Sequence, residues 1–294
     1  MTAARAKRGP EPVDLFAGTE PPAPIEGIRV GIGGWTYAPW RSNFYPAGLV
    51  QRRELEYASR RLSAIEINGT YYGTQKPATY ARWAEQTPIG FMFSAKAPRR
   101  IMQSRVLATT GGQVDDFLGG ITALGGRLGP IVWQFDRGTR PDHDDFAAFL
   151  DLLPASLDGR TLRHVLDVRD PDFVDGDYLA LVRRHRMATV FTDSGEHPSF
   201  ADVTGDFVYA RLMRSRTDIA TGYEPAQLQR WAQRARTWAA GGEPDDLPRI
   251  GHSATASTTA APSKPRDVFV YFISAAKGRN PAAAIALIER LRAH

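Results

Sequence analysis

A chain of 294 residues with 43% apolar side chains can build one large core, and an α/β barrel takes about 250 residues, so one domain with tails suffices. The formal charge is +5 and the pI about 9.5, carried mostly by arginine, which suits either anionic ligands or a solvated basic surface. The lack of cysteine excludes disulfides, thiolate metal sites and cysteine nucleophiles, and no stretch approaches the roughly 20 apolar residues that cross a bilayer.

Residues 1–27 contain Arg5, Lys7, Arg8 and five prolines without an apolar centre, so they read as a disordered leader rather than a signal peptide, and the expected location is cytoplasmic. Strand patterns then recur at 28–35, 64–68, 91–96, 130–134, 165–169, 189–193, 207–211 and 268–272. Helical patterns fall between them at 49–61, 77–86 (opened by Pro77), 113–124, 143–153, 175–186, 224–240 and, last, 281–293. The connection after 189–193 carries Gly195-Glu196-His197-Pro198 and little helical pattern. Residues 241–266 are rich in Gly, Ser, Thr, Ala and Pro and read as a flexible insertion, on the face away from the chemistry. The rhythm predicts a single (β/α)8 barrel of TIM type over 28–294.

Such barrels carry their chemistry at the C-terminal ends of the strands, where this chain has Asn68, Lys96, Gln134, Arg169, Asp193 and Arg211. Side chains alternate along a strand. Ile65 and Ile67 suit the outer helices, so Glu66 and Asn68 should face inward, as should Asp167 and Arg169 beside Val168. Charges inside a barrel must be paired or solvated. They form either a structural ion pair, Glu66–Arg169 or Asp167–Arg169, or the polar floor of a site. Lys96 could be a nucleophile, an acid/base group or an anion clamp.

The first strand delivers Trp35, Tyr37, Trp40, Phe44 and Tyr45 in eleven residues. They either fold the loop down as a plug or, for Trp35 and Tyr37, stack on a ligand, with Tyr71 and Tyr72 on the same rim. The histidines, at 143, 164, 185, 197, 252 and 294, form no HxH or HExxH spacing. No metal site is expected from them, although Glu66, Asp167 and Asp193 leave a carboxylate-held divalent cation open. No nucleotide loop appears, so no cofactor is expected.

Gly33-Gly34-Trp35-Thr36-Tyr37-Ala38-Pro39-Trp40 with Phe44-Tyr45-Pro46 resembles the opening of the YecE-like family, the domain of unknown function 72. Glu66-Ile67-Asn68-Gly69-Thr70-Tyr71-Tyr72, Trp83 to Pro88, Phe93 to Lys96, Trp133-Gln134, Asp167-Val168-Arg169, Asp193, Tyr209-Ala210-Arg211 and Tyr271-Phe272 continue the resemblance, over roughly residues 28 to 293. It implies a TIM-type barrel and brings no activity. Two positions depart from the family pattern: Phe173 stands for a Trp, and Ile273-Ser274 for Asn-Asn.

The expected function is a metal-independent enzyme acting on a small, polar, anionic substrate such as a sugar or sugar phosphate. Glu66, Asp167 and Lys96 would be catalytic. Trp35, Tyr37, Asn68, Tyr72, Gln134, Arg169, Asp193, Arg211 and Tyr271 would bind substrate. The rival readings are a nucleic-acid-binding or processing protein and a non-catalytic small-molecule sensor; no membrane partner is expected.

Overall fold

Short β-branched and aromatic runs make parallel strands only where helices cover both sides of each connection, and this chain closes them on themselves. The computed structural model describes Phe16 and residues 24–250 and 264–293. Strands β1 (Ile28–Gly33), β2 (Ala64–Ile67), β3 (Met92–Lys96), β4 (Leu128–Phe135), β5 (His164–Val168), β6 (Ala188–Thr192), β7 (Phe207–Leu212) and β8 (Asp267–Phe272) form a closed parallel barrel in chain order. Helices α1 (Glu54–Ser59), α2 (Pro77–Glu85), α3 (Arg99–Met102), α4 (Gly111–Ile121), α5 (His143–Asp151), α6 (Gly176–Arg184), α7 (Pro225–Ala239) and α8 (Asn280–Arg292) lie between or after them. The β6–β7 connection has no helix, as its composition predicts.

Local chemistry sets the helix starts. Asp142 accepts from the backbone N–H groups of Asp144 and Asp145 to open α5, and Asp175 from that of Tyr178 to open α6. Glu224 and Gln227 form a capping box on α7. A short antiparallel hairpin, Ser156–Leu157 with Arg160–Thr161, and the four-residue α3 carry no sequence periodicity and were not expected.

Alternation divides the core in two. Ala64, Val132, Val165, Val190, Phe207, Tyr209, Phe269 and Tyr271 fill the barrel, while Ile65, Phe93, Trp133, Leu166, Phe191 and Phe272 pack outward against the helices. Gly31 lets β1 meet β2 closely: a Cβ there would lie 2.1 Å from the Ala64 carbonyl oxygen.

Most of the expected leader lies outside the described residues. Within it, Phe16 packs under the Arg53 guanidinium at 3.9 Å, and Gly27 O accepts from Val268 N. Residues 251–263 of the expected insertion, with His252, and His294 also lie outside them. The described part narrows the insertion. Pro248 O accepts from Ala201 N, Ile250 N donates to Asp202, and Arg266 donates to the Gly241 and Gly242 carbonyls. No described helix is long and apolar enough to cross a membrane.

Candidate functional site

At the C-terminal mouth the inward positions turn from apolar to charged. Glu66 on β2, Lys96 on β3, Gln134 on β4, Asp167 on β5, Thr192 on β6 and Arg211 on β7 are all buried there. Register brings them level: Gln134 pairs with Asp167, and Thr192 with Arg211.

Arg211 is the hub, only 2% exposed. Its Nε and Nη2 donate to the two oxygens of Glu66 at 3.0 and 2.5 Å, and its Nη1 to Asp167 Oδ2 at 2.6 Å. Tyr209, one layer below, donates its hydroxyl to Glu66 Oε2 at 2.6 Å. Arg169 reaches the same Asp167 oxygen from Nε and Nη2 at 3.2 and 3.1 Å. Of the two alternative structural pairs, Asp167–Arg169 is present, whereas the partner of Glu66 is Arg211 rather than Arg169. Burial alone would raise both carboxyl pKa values; Arg211, with Arg169 at Asp167, outweighs it and holds them below their ordinary range. Arg211 is correspondingly held charged.

Lys96 differs from its neighbours. It is 7% exposed, and no carboxylate oxygen among the described residues lies within ion-pair distance of its Nζ, which sits 4.2 Å from the centroid of the Tyr71 ring. Burial, then the nearby Arg211 charge, pushes its pKa down to about 8. Beside it, Tyr71 donates to Asp136 Oδ2 at 2.5 Å, and Gln134 Nε2 donates to Asp136 Oδ1 at 2.5 Å. Burial and the Asp136 bond raise the Tyr71 pKa to about 12. Gln134 Oε1 and His197 Nδ1 are buried without a hydrogen-bond partner among the described residues. Burial followed by Arg169 lowers the His197 pKa. Asp136 and Ser94 were not put forward as site residues by the sequence, although alternation past Gln134 leads to Asp136; Tyr209 was read only as sharing a face with Arg211.

Other candidates lie elsewhere. The Asn68 amide covers Gly33, where a Cβ would come within 2.7 Å of its Nδ2. Tyr271 is fully buried below the mouth, sharing a 2.6 Å hydrogen bond with Ser94 and packing on Tyr209 at 5.0 Å. Asp193 follows Phe191 onto the outer face, where it accepts from Met213 N and from the Tyr223 hydroxyl. Trp35 packs edge-on against Trp83 and Phe93, and Tyr37 against Trp40 under the Lys277 ammonium. Tyr72 stands 77% exposed on the rim. Trp40 and Tyr45 are buried as a plug, Trp40 Nε1 donating to Lys277 O at 2.8 Å. Among the described residues, no group of three or more His, Cys, Asp or Glu side chains is arranged to hold a metal ion. Asp193 on the outer face breaks up the carboxylate trio that left a cation open.

The family model described as "Protein of unknown function DUF72" matches residues 29–294. The chain belongs to the DUF72 family. Among its relatives, the UPF0759 protein YecE of Escherichia coli K12 is 29% identical over 147 residues, half of each chain, so this chain spans about half the length of the curated relatives it matches. A solved DUF72 structure from Thermotoga maritima has a TM-score of 0.66 at 17% identity, covering 90% of this chain and 98% of that one. One from Enterococcus faecalis has a TM-score of 0.64 at 15% identity, covering 90% and 95%. At these identities the DUF72 structures agree with the barrel and carry no chemistry.

Proposed function

We propose that this DUF72 barrel is an enzyme that binds a small anionic substrate at its mouth and moves a proton with Lys96. The observation that carries the reading is Lys96 itself: a lysine only 7% exposed, without an ion pair among the described residues, its Nζ over the Tyr71 ring. A buried cation of this kind is costly unless a ligand completes it or it works by titrating. With its pKa near 8 it exchanges a proton close to neutrality, as a general acid or base must. The acid/base role moves away from Glu66, whose two oxygens are filled by Arg211 and Tyr209. Glu66 and Asp167 instead fix Arg211. Asp167 keeps Oδ1 without a described hydrogen bond and remains within reach of the chemistry. Arg169, partly exposed at the opening, is the group that meets a substrate carboxylate or phosphate.

A thermal-shift screen of sugar phosphates and hydroxy- and keto-acids tests this, with Lys96→Met and Arg169→Ala run alongside. The expected hit is an anion whose stabilisation falls at least about tenfold in apparent affinity in Arg169→Ala. It should be turned over by the wild type and not by Lys96→Met. Anions that stabilise all three proteins equally would overturn the reading.

A further inference from the structure

A second cleft, of about 270 Å³, opens on the outside of the barrel wall between the end of β6, helix α7 and the segment around Leu247 and Pro248. Its floor is aromatic: Phe191 from the outer face of β6 and Trp231 from α7. Gln227, Arg230, Trp231 and Arg234 recur at three- and four-residue spacing, so one face of α7 lines it. Arg234 is matched by Asp246 at 2.7 Å and lies over Trp231 at 4.2 Å, which fixes the ring. Arg214 and Arg230 also line the cleft, both exposed, and neither has a carboxylate within ion-pair distance among the described residues. The acid lining the cleft, Asp193, is half-buried and committed through both oxygens to Met213 N and the Tyr223 hydroxyl, and desolvation raises its pKa.

From this cleft we infer a second ligand site, separate from the barrel mouth, that takes a small organic anion carrying a flat apolar group. The Arg214 and Arg230 guanidiniums, without an ion pair among the described residues, supply the planar forks that recognise a phosphate or carboxylate, and the Phe191–Trp231 floor receives the ring. A carboxylate and a phosphate share this chemistry. The cleft lies on the opposite side of the β6 backbone from Thr192, so its occupant does not enter the Lys96 pocket.

The test is calorimetric titration with phenyl phosphate, and with benzoate as a second arm, on the full chain carrying Arg169→Ala to silence the mouth. Saturable binding should persist in that background. It should weaken at least about tenfold when Arg214→Ala and Arg230→Ala are added. Gln227→Glu offers a second variant: it keeps the capping oxygen but places a carboxylate in the cleft, and it should weaken binding similarly. Preference between the two probes names the anion. Absence of saturable binding in the Arg169→Ala protein, or binding indifferent to both sets of variants, would overturn the proposal.

Discussion

Lys96 shows how one residue can hold a site under tension. Its pKa falls on folding from 10.5 to about 8, so between those values the unfolded chain binds more protons than the folded one and stability rises with pH. Below pH 8 the charged lysine opposes folding by an amount on the order of 3 kcal/mol. Lys96→Met should therefore unfold later than the wild type in urea at pH 7, with the gain shrinking as pH passes 8 toward 10. In the wild type, acylation of Lys96, followed by mass spectrometry, should reach half its limiting rate near pH 8; half-reaction near pH 10 would contradict the buried, unpaired environment. Arg211 behaves oppositely. Arg211→Met strands Glu66 and Asp167 inside the barrel and should cost about 3–5 kcal/mol by the same urea assay. The inward direction of Glu66, Asp167 and Arg169 was legible because apolar neighbours fixed the phase of β2 and β5. The choice of Arg211 over Arg169 for Glu66 was not, because partner choice depends on barrel register. Asp193 faces outward for a readable reason: Phe191 needs the outer helices, and alternation carries Asp193 out with it.

At the scale of elements, the loop after β1 is anchored by its own aromatic side chains. Its aromatics fold into a chain of ring contacts, edge-to-face except for the tilted Phe44–Tyr45 pair, from Tyr37 through Trp40 and Phe44 to Tyr45 and Tyr57, so the plug reading prevails for Trp40, Phe44 and Tyr45. The aromatic cluster also ties this loop to the one after the neighbouring strand β8, since Trp40 donates to Lys277 O before α8. Trp40→Ala removes a fully buried ring and that bond, and should cost about 3–5 kcal/mol, measured by chemical denaturation; a loss under about 1 kcal/mol would mean that the plug is not anchored there. Strand and helix positions were legible because the periodicities of two and 3.6 are strong here. The hairpin at 156–161 and α3 were not, because two to four residues hold too little pattern to register. The stretch at 241–250 was hidden by its composition: Pro244 is buried and Leu247 packs against the core, while Asp246 and Glu243 pair with Arg234 and Arg249.

For the molecule as a whole, closing the barrel places a titratable group where acid can unlock it. His164 begins β5 on the outer face. Its Nδ1 accepts from Trp133 Nε1 at 3.0 Å and its Nε2 donates to Pro154 O at 2.9 Å, so the neutral ring bridges β4, β5 and the segment after α5 that connects them. Burial lowers its pKa from 6.5 to about 4. Between those values the unfolded chain takes up a proton that the folded barrel refuses, so stability is full above pH 6.5 and falls as the pH drops toward 4. The loss over that window is on the order of 3 kcal/mol. Glu66 and Asp167 act lower still: their folded pKa values lie under the ordinary carboxylate range, so their contribution disappears only as pH falls through those depressed values. Acid unfolding should therefore proceed in two stages, the histidine loosening the outer shell before the carboxylates release Arg211. His164→Phe gives up both hydrogen bonds and should be less stable than the wild type at pH 7. Yet its unfolding free energy, followed by urea denaturation from pH 7 to pH 4.5, should drop by about 2–3 kcal/mol less than that of the wild type. Parallel losses in the two proteins would move the acid sensitivity of this barrel from its outer shell to its charged mouth.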